Sequence, residues 1–354
     1  MRPRWPVAEH TVRQLAADEP SAWPDALLQP AAFTATDAWR HLAETTYGFR
    51  SYRFETRDHG AVSGLLSLTH IRHPLFGHYL TTAPYGSYGG FAFAGAEPRD
   101  SLLERAAELA THLNVDHVNV RFAPDTESAS PSGWLSQPIY ATYRMDLSPD
   151  TDAMLGRFGS DHRNHVRKSL KKGFVVRFGH LDLLDAAYEV LALSMQELGS
   201  PFHGKAYLRT LAELFGEGLE FCVVERGDGT VAGAGVLIRH GTVINNLYAN
   251  ILRAHRSDYA GEFLYWKIIE RYAGLGCETF DLGRSLAGSG NETFKMKWKP
   301  RRVPLAYWYC LRGGRQLPNL NQANPRFATA IRLWKHMPRC VVRPLGPLII
   351  RGIA

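Results

Sequence analysis

The chain has 354 residues, 45% of them hydrophobic and 21% charged, and a formal net charge of +7. That length predicts about two domains with full cores, and the composition excludes disordered and collagen-like chains. Four cysteines, Cys222, Cys277, Cys310 and Cys340, stand far apart with no CxxC. This argues against a zinc cage or a disulfide scaffold and for a reducing compartment.

The start, Met1-Arg-Pro-Arg-Trp5, has no apolar run behind its charges, so no signal peptide is expected. No stretch approaches the ~18 apolar residues of a membrane span, and a cytoplasmic location is the expectation. The charge is unevenly spread. Of the 41 Lys and Arg, 13 follow Glu292, where no Asp or Glu occurs; the first 292 residues hold 28 basic and 34 acidic side chains. Excess positive charge confined to one end points to an anionic partner such as a phosphate, a nucleic acid (tRNA among them) or an anionic lipid.

In chain order, residues 49–55 and 61–71 read as strands around a turn at Asp58-His-Gly60, and Pro74 ends the run. Residues 81–93 are dominated by Gly and aromatics. A helix is predicted over 102–113, with Leu102, Leu103, Ala106, Leu109, Ala110 and Leu113 on one face and Asp100 as its N-cap. Strands follow at 118–121 and 142–147 around a polar loop at 125–133. Ser148-Pro-Asp-Thr151 reads as a boundary, giving a first domain over 1–150, a second over 151–315 and a basic tail over 316–354. In the second domain the pattern predicts a basic helix at 154–173 and a strand at 174–178. A helix at 181–198 with Asp182 as its cap follows, then another at 205–214. A hairpin pairs 220–225 with 231–239 across Arg226-Gly-Asp-Gly229. A strand at 243–249, a helix at 262–275 and strands at 279–282 and 305–311 complete it. The first half echoes this order without a sequence repeat. The tail reads as a basic amphipathic helix followed by a Pro-broken apolar stretch, RPLGPLIIRGIA.

The most distinctive segment is FDLGRSLAGSGNETFKMKWK, residues 280–299. Read as extended chain after a Gly-rich turn, it places Lys295, Lys297 and Lys299 on one face, an arrangement suited to phosphate. Asp281 and Arg284 flank the glycine at the strand end, where Asp281 would orient or deprotonate an amine and Arg284 would fork onto a phosphate or carboxylate. A structural Asp–Arg pair is the alternative. RNHVRKSLKKGFVVR, residues 163–177, carries six Lys and Arg and no acid, with Arg163 and Arg167 sharing a helix face toward a polyanion. A solvated face is its alternative. In Pro84-Tyr-Gly-Ser-Tyr-Gly-Gly90, Tyr85 and Tyr88 would line a sugar or peptide groove, or else serve as core tyrosines in a bulged turn. Lys205, Tyr248 and Trp298 complete the candidate substrate contacts. There is no GxxxxGK[ST], HExxH or GxSxG, and the 15 histidines read as surface or satisfied core residues without a distinctive ligand pair, so no metal site is expected.

RNHVRKSLKKG, LSMQELGSPFHGKAY and FDLGRSLAGSGNETFKMKWKP resemble the FemAB-like proteins associated with PEP-CTERM/exosortase gene systems. These belong to the wider Fem family of peptidoglycan-bridge aminoacyltransferases. PYGSYGG and WKHMPRCVVRPLGPLIIR look like the same group. The resemblance implies an α/β (α+β) fold of two tandem GNAT-like domains, each a mixed, mostly antiparallel sheet flanked by helices. It implies transfer of an aminoacyl or acyl group to an amine on a cell-envelope or exopolysaccharide precursor. The donor would be aminoacyl-tRNA or acyl-CoA, with no tightly bound cofactor. A phosphate-contacting lysine maps onto Lys295 or Lys297, the latter taken with Asp281 and Glu262 as the candidate catalytic set. Glu262, in AGEFLYW, is either an acid/base or an acid favoured at a helix start. No heptad arm of the Fem type occurs near 182–214. Two other readings stand beside this one. A small-molecule acetyl-CoA enzyme would need a glycine-spaced pyrophosphate loop where Arg253-Ala-His-Arg256 stands. A non-catalytic module would attach peripherally to an anionic membrane through the tail.

Overall fold

A computed structural model describes residues 11–21, 33–123, 130–313, 315–318 and 324–353. The loop expected at 125–133 lies mostly outside them. The chain divides into two compact units, residues 1–138 with 305–317 and residues 139–304 with 318–353.

In the first unit the elements are β1 (Thr11–Gln14), α1 (Asp37–Tyr47), β2 (Arg50–Asp58), β3 (Ala61–His73), β4 (Gly77–Thr81) and β5 (Phe91–Phe93). They continue with α2 (Ala96–Leu113), β6 (His117–Arg121), β7 (Leu135–Ser136) and, from the far end of the chain, β16 (Tyr307–Leu311). The sheet order is β1-β2-β3-β4-β6-β16-β7, with β5 on β3. β4 and β6 are parallel, and β16 lies antiparallel to β6 from Tyr307↔Arg121 to Leu311↔His117. The apolar face read for α2 is the face it buries. The helix begins at Ala96 behind Gly95, however, so Asp100 lies inside it and does not cap it. Pro98 in the first turn fits that earlier start, because the first N–H groups of a helix have no intrahelical partner to lose. The sequence reading passed over α1, whose polar face masks Trp39, Leu42 and Ala43.

In the second unit the elements are β8 (Tyr140–Asp146), α3 (Thr151–Arg157), α4 (Ser160–Leu170), β9 (Phe174–Gly179), α5 (Leu184–Leu198), α6 (Lys205–Phe215) and β10 (Leu219–Arg226). β11 (Val231–His240), β12 (Val243–Ile251), α7 (Ala260–Gly274), β13 (Thr279–Asp281), β14 (Ser285–Leu286), α8 (Gly290–Met296) and β15 (Arg301–Pro304) follow. The tail supplies α9 (Ala328–His336) and α10 (Arg339–Ile350). The sheet order is β14-β8-β13-β12-β11-β10-β9, with β15 also on β8. The β12–β13 pair is parallel; the other pairs are antiparallel. α7 buries Phe263, Leu264, Trp266, Ile268 and Ile269 against this sheet's core.

Four expectations change. β8 pairs in the second sheet and β16 in the first, so the sheets do not divide at 150 and 315. Strand partners far apart in sequence decide this, and no local signal carries them. The helix read over 154–173 is two helices, broken where Phe158 turns extended to bury its ring and Gly159 opens α4. The alternating lysines are not on a strand. Ser289 Oγ accepts the Glu292 N–H at 3.2 Å, and this cap starts α8, which rotates Lys295 inward and leaves Lys297 and Lys299 exposed. Finally, α10 runs through Pro344 and Pro347. Its docking offsets the lost amide bonds: Val342 and Gly346 are buried, and a Cβ on Gly346 would stand 2.8 Å from the Phe202 carbonyl oxygen.

Candidate functional site

The second unit's sheet parts near its centre. β12 and β13 pair over three positions, Val243↔Thr279, Ile244↔Phe280 and Asn245↔Asp281, and β13 then ends. β12 runs on to Ile251 with β11 alone beside it. On the β11 side its register slips between Val236 and Leu237, so the strand bends as it leaves β13. Gly283 turns the chain away at φ +80, and a Cβ there would stand 2.9 Å from the Asn246 carbonyl oxygen. Only glycine fits both the left-handed backbone and that approach. Across the gap, the Asn246 side-chain amide donates to Tyr265 Oη at 3.0 Å and reaches the Leu282 carbonyl at 3.5 Å, while its Oδ1 is buried without a partner among the described residues.

Lys295 closes the base of this opening. Its Nζ donates to the carbonyls of Gly283 at 2.8 Å and Arg284 at 3.1 Å. Burial pulls its amine down to about 7, with the nearby Asp281 charge opposing and Arg284 assisting. Asp281, offered by the sequence as a group that orients or deprotonates an amine, is engaged on both carboxylate oxygens by the fold. Its Oδ1 accepts from Thr142 Oγ1 at 2.5 Å and from the Gly283 N–H at 2.8 Å, and its Oδ2 pairs with Arg144 Nε at 3.3 Å. It ties β13 to β8 and shapes the glycine turn. Arg284 lies with its guanidinium over the Tyr140 ring at 4.8 Å. Tyr248, on the free part of β12, packs edge-on against Phe202 at 5.3 Å, and burial raises its hydroxyl pKa.

A second set gathers at an open cleft of about 960 Å³, counted with its solvent-filled mouth, lined in part by Asp161, His162, His165, Thr293, Lys297 and Lys299. Glu262, buried in the first turn of α7, stands with His162 and His165. Burial above all, then Lys297 and His165, brings His162 down to about 4. Trp298 is fully buried and belongs to the core, stacked on Tyr265 at 5.7 Å, so it offers no face to a substrate. Arg163 reaches the Gly156 carbonyl at 3.3 Å, and Arg167 is exposed on α4, whose buried face is His162, Val166 and Ser169. Lys205 pairs with Asp185 at 3.2 Å on the surface of the unit.

Tyr85 and Tyr88 lie in the first unit. Tyr85 takes φ +64 and packs on Tyr47 at 5.4 Å, and the backbone carbonyl of buried Tyr88 accepts from Thr34 Oγ1. The structure thus brings Tyr248, Asp281, Arg284 and Lys295 to one strand end, and Glu262 and Lys297 to the neighbourhood of the cleft. The sequence reading missed Asn246, His162 and His165. The spacing of His162 and His165 on a helix was visible, but their third companion is about a hundred residues away.

Residues 160–296, which include the parted strands, match the family model described as an acetyltransferase (GNAT) domain. The second unit thus carries a GNAT-type acetyltransferase domain, and the chain is an acyltransferase. Among solved structures, FemX is similar at 14% identity with a TM-score of 0.63, over 80% of this chain and 93% of its own. L-PGS from Bacillus licheniformis is similar at 13% identity and TM-score 0.51, over 80% of this chain and 86% of its own. A tandem GNAT protein from the clavulanic acid biosynthesis pathway is similar at 14% identity and TM-score 0.53, over 87% of this chain and all 100% of its own. These likenesses establish the fold, two tandem GNAT-like units with mixed sheets flanked by helices. No curated protein sequence matches the chain.

Proposed function

We propose that the chain transfers an aminoacyl or acyl group from an activated ester or thioester to an amine, at the opening between β12 and β13, with an anionic cell-envelope or exopolysaccharide precursor as acceptor. One observation carries the reading: a GNAT sheet parted beside a buried amine. The free edge of β12 offers backbone groups that an amide-bearing donor arm pairs with as an added strand would. Amines attack activated carbonyls only when neutral, and a base near pH 7 must receive the proton. Lys295 is such a base, and its two carbonyl contacts fix the Nζ at the foot of the gap. Arg284, together with the exposed Lys297 and Lys299, supplies charge for the acceptor's phosphates.

A tRNA-borne donor is favoured by the fold shared with FemX and by the exposed basic face of α4. The tail favours work at an anionic surface: Leu333, Val341, Leu345 and Leu348 are exposed among Arg332, Lys335, Arg339 and Arg343. No helix of the described residues is long and apolar enough to cross a membrane.

The test is a transfer assay on purified protein with charged tRNA or acyl-CoA as competing donors, at physiological salt, where nonspecific polyanion binding is weak. The expected result is discrimination of charged from uncharged tRNA and an alkaline rise of kcat/KM with its midpoint near 7. Lys295→Met should lose both that midpoint and about 10²–10⁴ of the rate. Saturable CoA binding without tRNA discrimination would replace the donor. A Lys295→Met protein with normal kcat would remove the assigned base.

A further inference from the structure

The histidines that gather beside the cleft carry an inference of their own. His162 and His165 stand three residues apart on α4, which places both imidazoles on one helix face. The first turn of α7 brings Glu262 to the same point, and one ligand atom from each of the three side chains lies within 4.8 Å of the other two. Glu262 and His162 are buried and His165 is half-buried. Both ring nitrogens of His162 are sealed from solvent, and neither has a hydrogen-bond partner among the described residues. Buried polar atoms are normally paired, so an orphaned ring nitrogen calls for a partner, and an ion bound through one nitrogen would supply it. Aromatic contacts position both rings. Trp298 meets His162 edge to face at 4.4 Å, Phe158 does so at 5.6 Å, and Tyr259 stacks on His165 at 4.7 Å.

We propose that His162, His165 and Glu262 bind a divalent transition-metal ion of the zinc class, with its open coordination position toward the cleft. Two imidazoles and one carboxylate suit zinc and exclude calcium or magnesium, which take oxygen ligands. Tetrahedral bonds near 2.0–2.1 Å need donor atoms about 3.3 Å apart, so binding requires the three side chains to close in by up to about 1.5 Å. The ion sits with one carboxylate and keeps a net positive charge. Lys297 and Lys299 line the same cleft, in water, so an anion at the open position would be shared between metal and ammonium groups. The metal would also clamp α4 to α7, two helices whose residues are far apart in the chain.

The experiment uses the full-length, tag-free chain, stripped with a chelator and titrated with zinc chloride by calorimetry, then with cobalt(II) by visible absorption. The expected result is one equivalent bound, ligand-field bands of tetrahedral cobalt, and a rise in Tm of about 5 °C at a hundredfold excess over Kd. His162→Gln, His165→Gln and the near-isosteric Glu262→Gln should each weaken binding about 100-fold or more, with folding checked by circular dichroism. His70→Gln should leave binding unchanged; it alters the other close histidine pair, His70 and His78, whose rings already bond each other in the first unit. A native chain that takes up no zinc overturns the proposal whatever the variants do. So does zinc binding that survives all three substitutions or that is lost with His70→Gln.

Discussion

At the scale of single residues, Lys295 shows how burial rewrites chemistry. In the unfolded chain its amine holds a proton up to about pH 10.5, and in the folded protein only to about 7. Between these values the unfolded state binds more protons, so this residue makes stability rise with pH across that window. Lys295→Met removes the effect. The stability of the native chain relative to that variant should grow by up to ~3 kcal/mol between pH 7 and 9.5, measured from urea midpoints at each pH. A difference that stays flat would mean that the amine keeps its proton in the fold. Asp281 and Trp298 make the complementary point. Each looked available in the sequence, yet Asp281 is held by Thr142, Arg144 and the Gly283 amide, and Trp298 lies in the core. Residue type fixed their chemistry, and tertiary packing decided whether it faces a substrate.

At the scale of elements, the glycine turn after β13 is the feature most exposed to test. Gly283→Ala puts a methyl group against the Asn246 carbonyl at a backbone angle that side chains rarely adopt. The substitution should cost about 1–3 kcal/mol and should raise KM for the donor, as the gap between β12 and β13 narrows. An unchanged thermal midpoint would show that the turn tolerates the methyl group. The docked tail offers a second test. The Trp334 indole N–H donates to the Ser200 carbonyl at 3.0 Å, and Gln196 Nε2 donates to the Met337 carbonyl at 2.8 Å. Trp334→Ala removes a buried ring and should cost about 3 kcal/mol locally, so that limited proteolysis releases α9 and α10 while the rest of the unit stays resistant. Loss of α10 from the unit together with its vesicle binding would tie the anionic surface to the tail; vesicle binding that persists would place it elsewhere. Two element-level signals were legible and went unused: Ser289-Gly-Asn-Glu292 has the capping-box spacing that opens α8, and Phe158-Gly159 interrupts the basic helix.

At the scale of the whole molecule, the chain returns to its beginning. β16 lies between β6 and β7 in the first sheet, with Tyr307 and Trp308 almost wholly buried. Truncation after Pro304 should therefore cost the first unit its cooperative fold, not merely shorten a tail. Near-ultraviolet circular dichroism and hydrogen exchange on the shortened chain would report this, and a first unit that keeps its slow-exchanging amides would contradict it. The same crossing explains why the expected boundaries at 150 and 315 fall beside, and not at, the places where the sheets divide. The basic charge after Glu292 is likewise divided between the units by the fold, with Arg301 and Arg302 on β15 in the second and Arg312 next to β16 in the first.

The sequence by itself determined the elements whose signal is local. The amphipathic face of α2, the β10–β11 hairpin, the strand that ends before Gly283 and the basic exposed side of α4 all follow from side-chain periodicity and turn chemistry within a dozen residues. The tandem GNAT-like architecture was implied by the resemblance that its motifs carry to the Fem family, and the solved structures bear it out. Only the tertiary structure decided which side chains meet. Strand pairing set β8 beside β13 and so buried Asp281. The cap on α8 turned Lys295 inward and Lys297 outward. The crossing of α4 and α7 joined His162 and His165 to Glu262. These outcomes depend on contacts between residues distant in sequence, whose free energy exists only once the chain has closed around them.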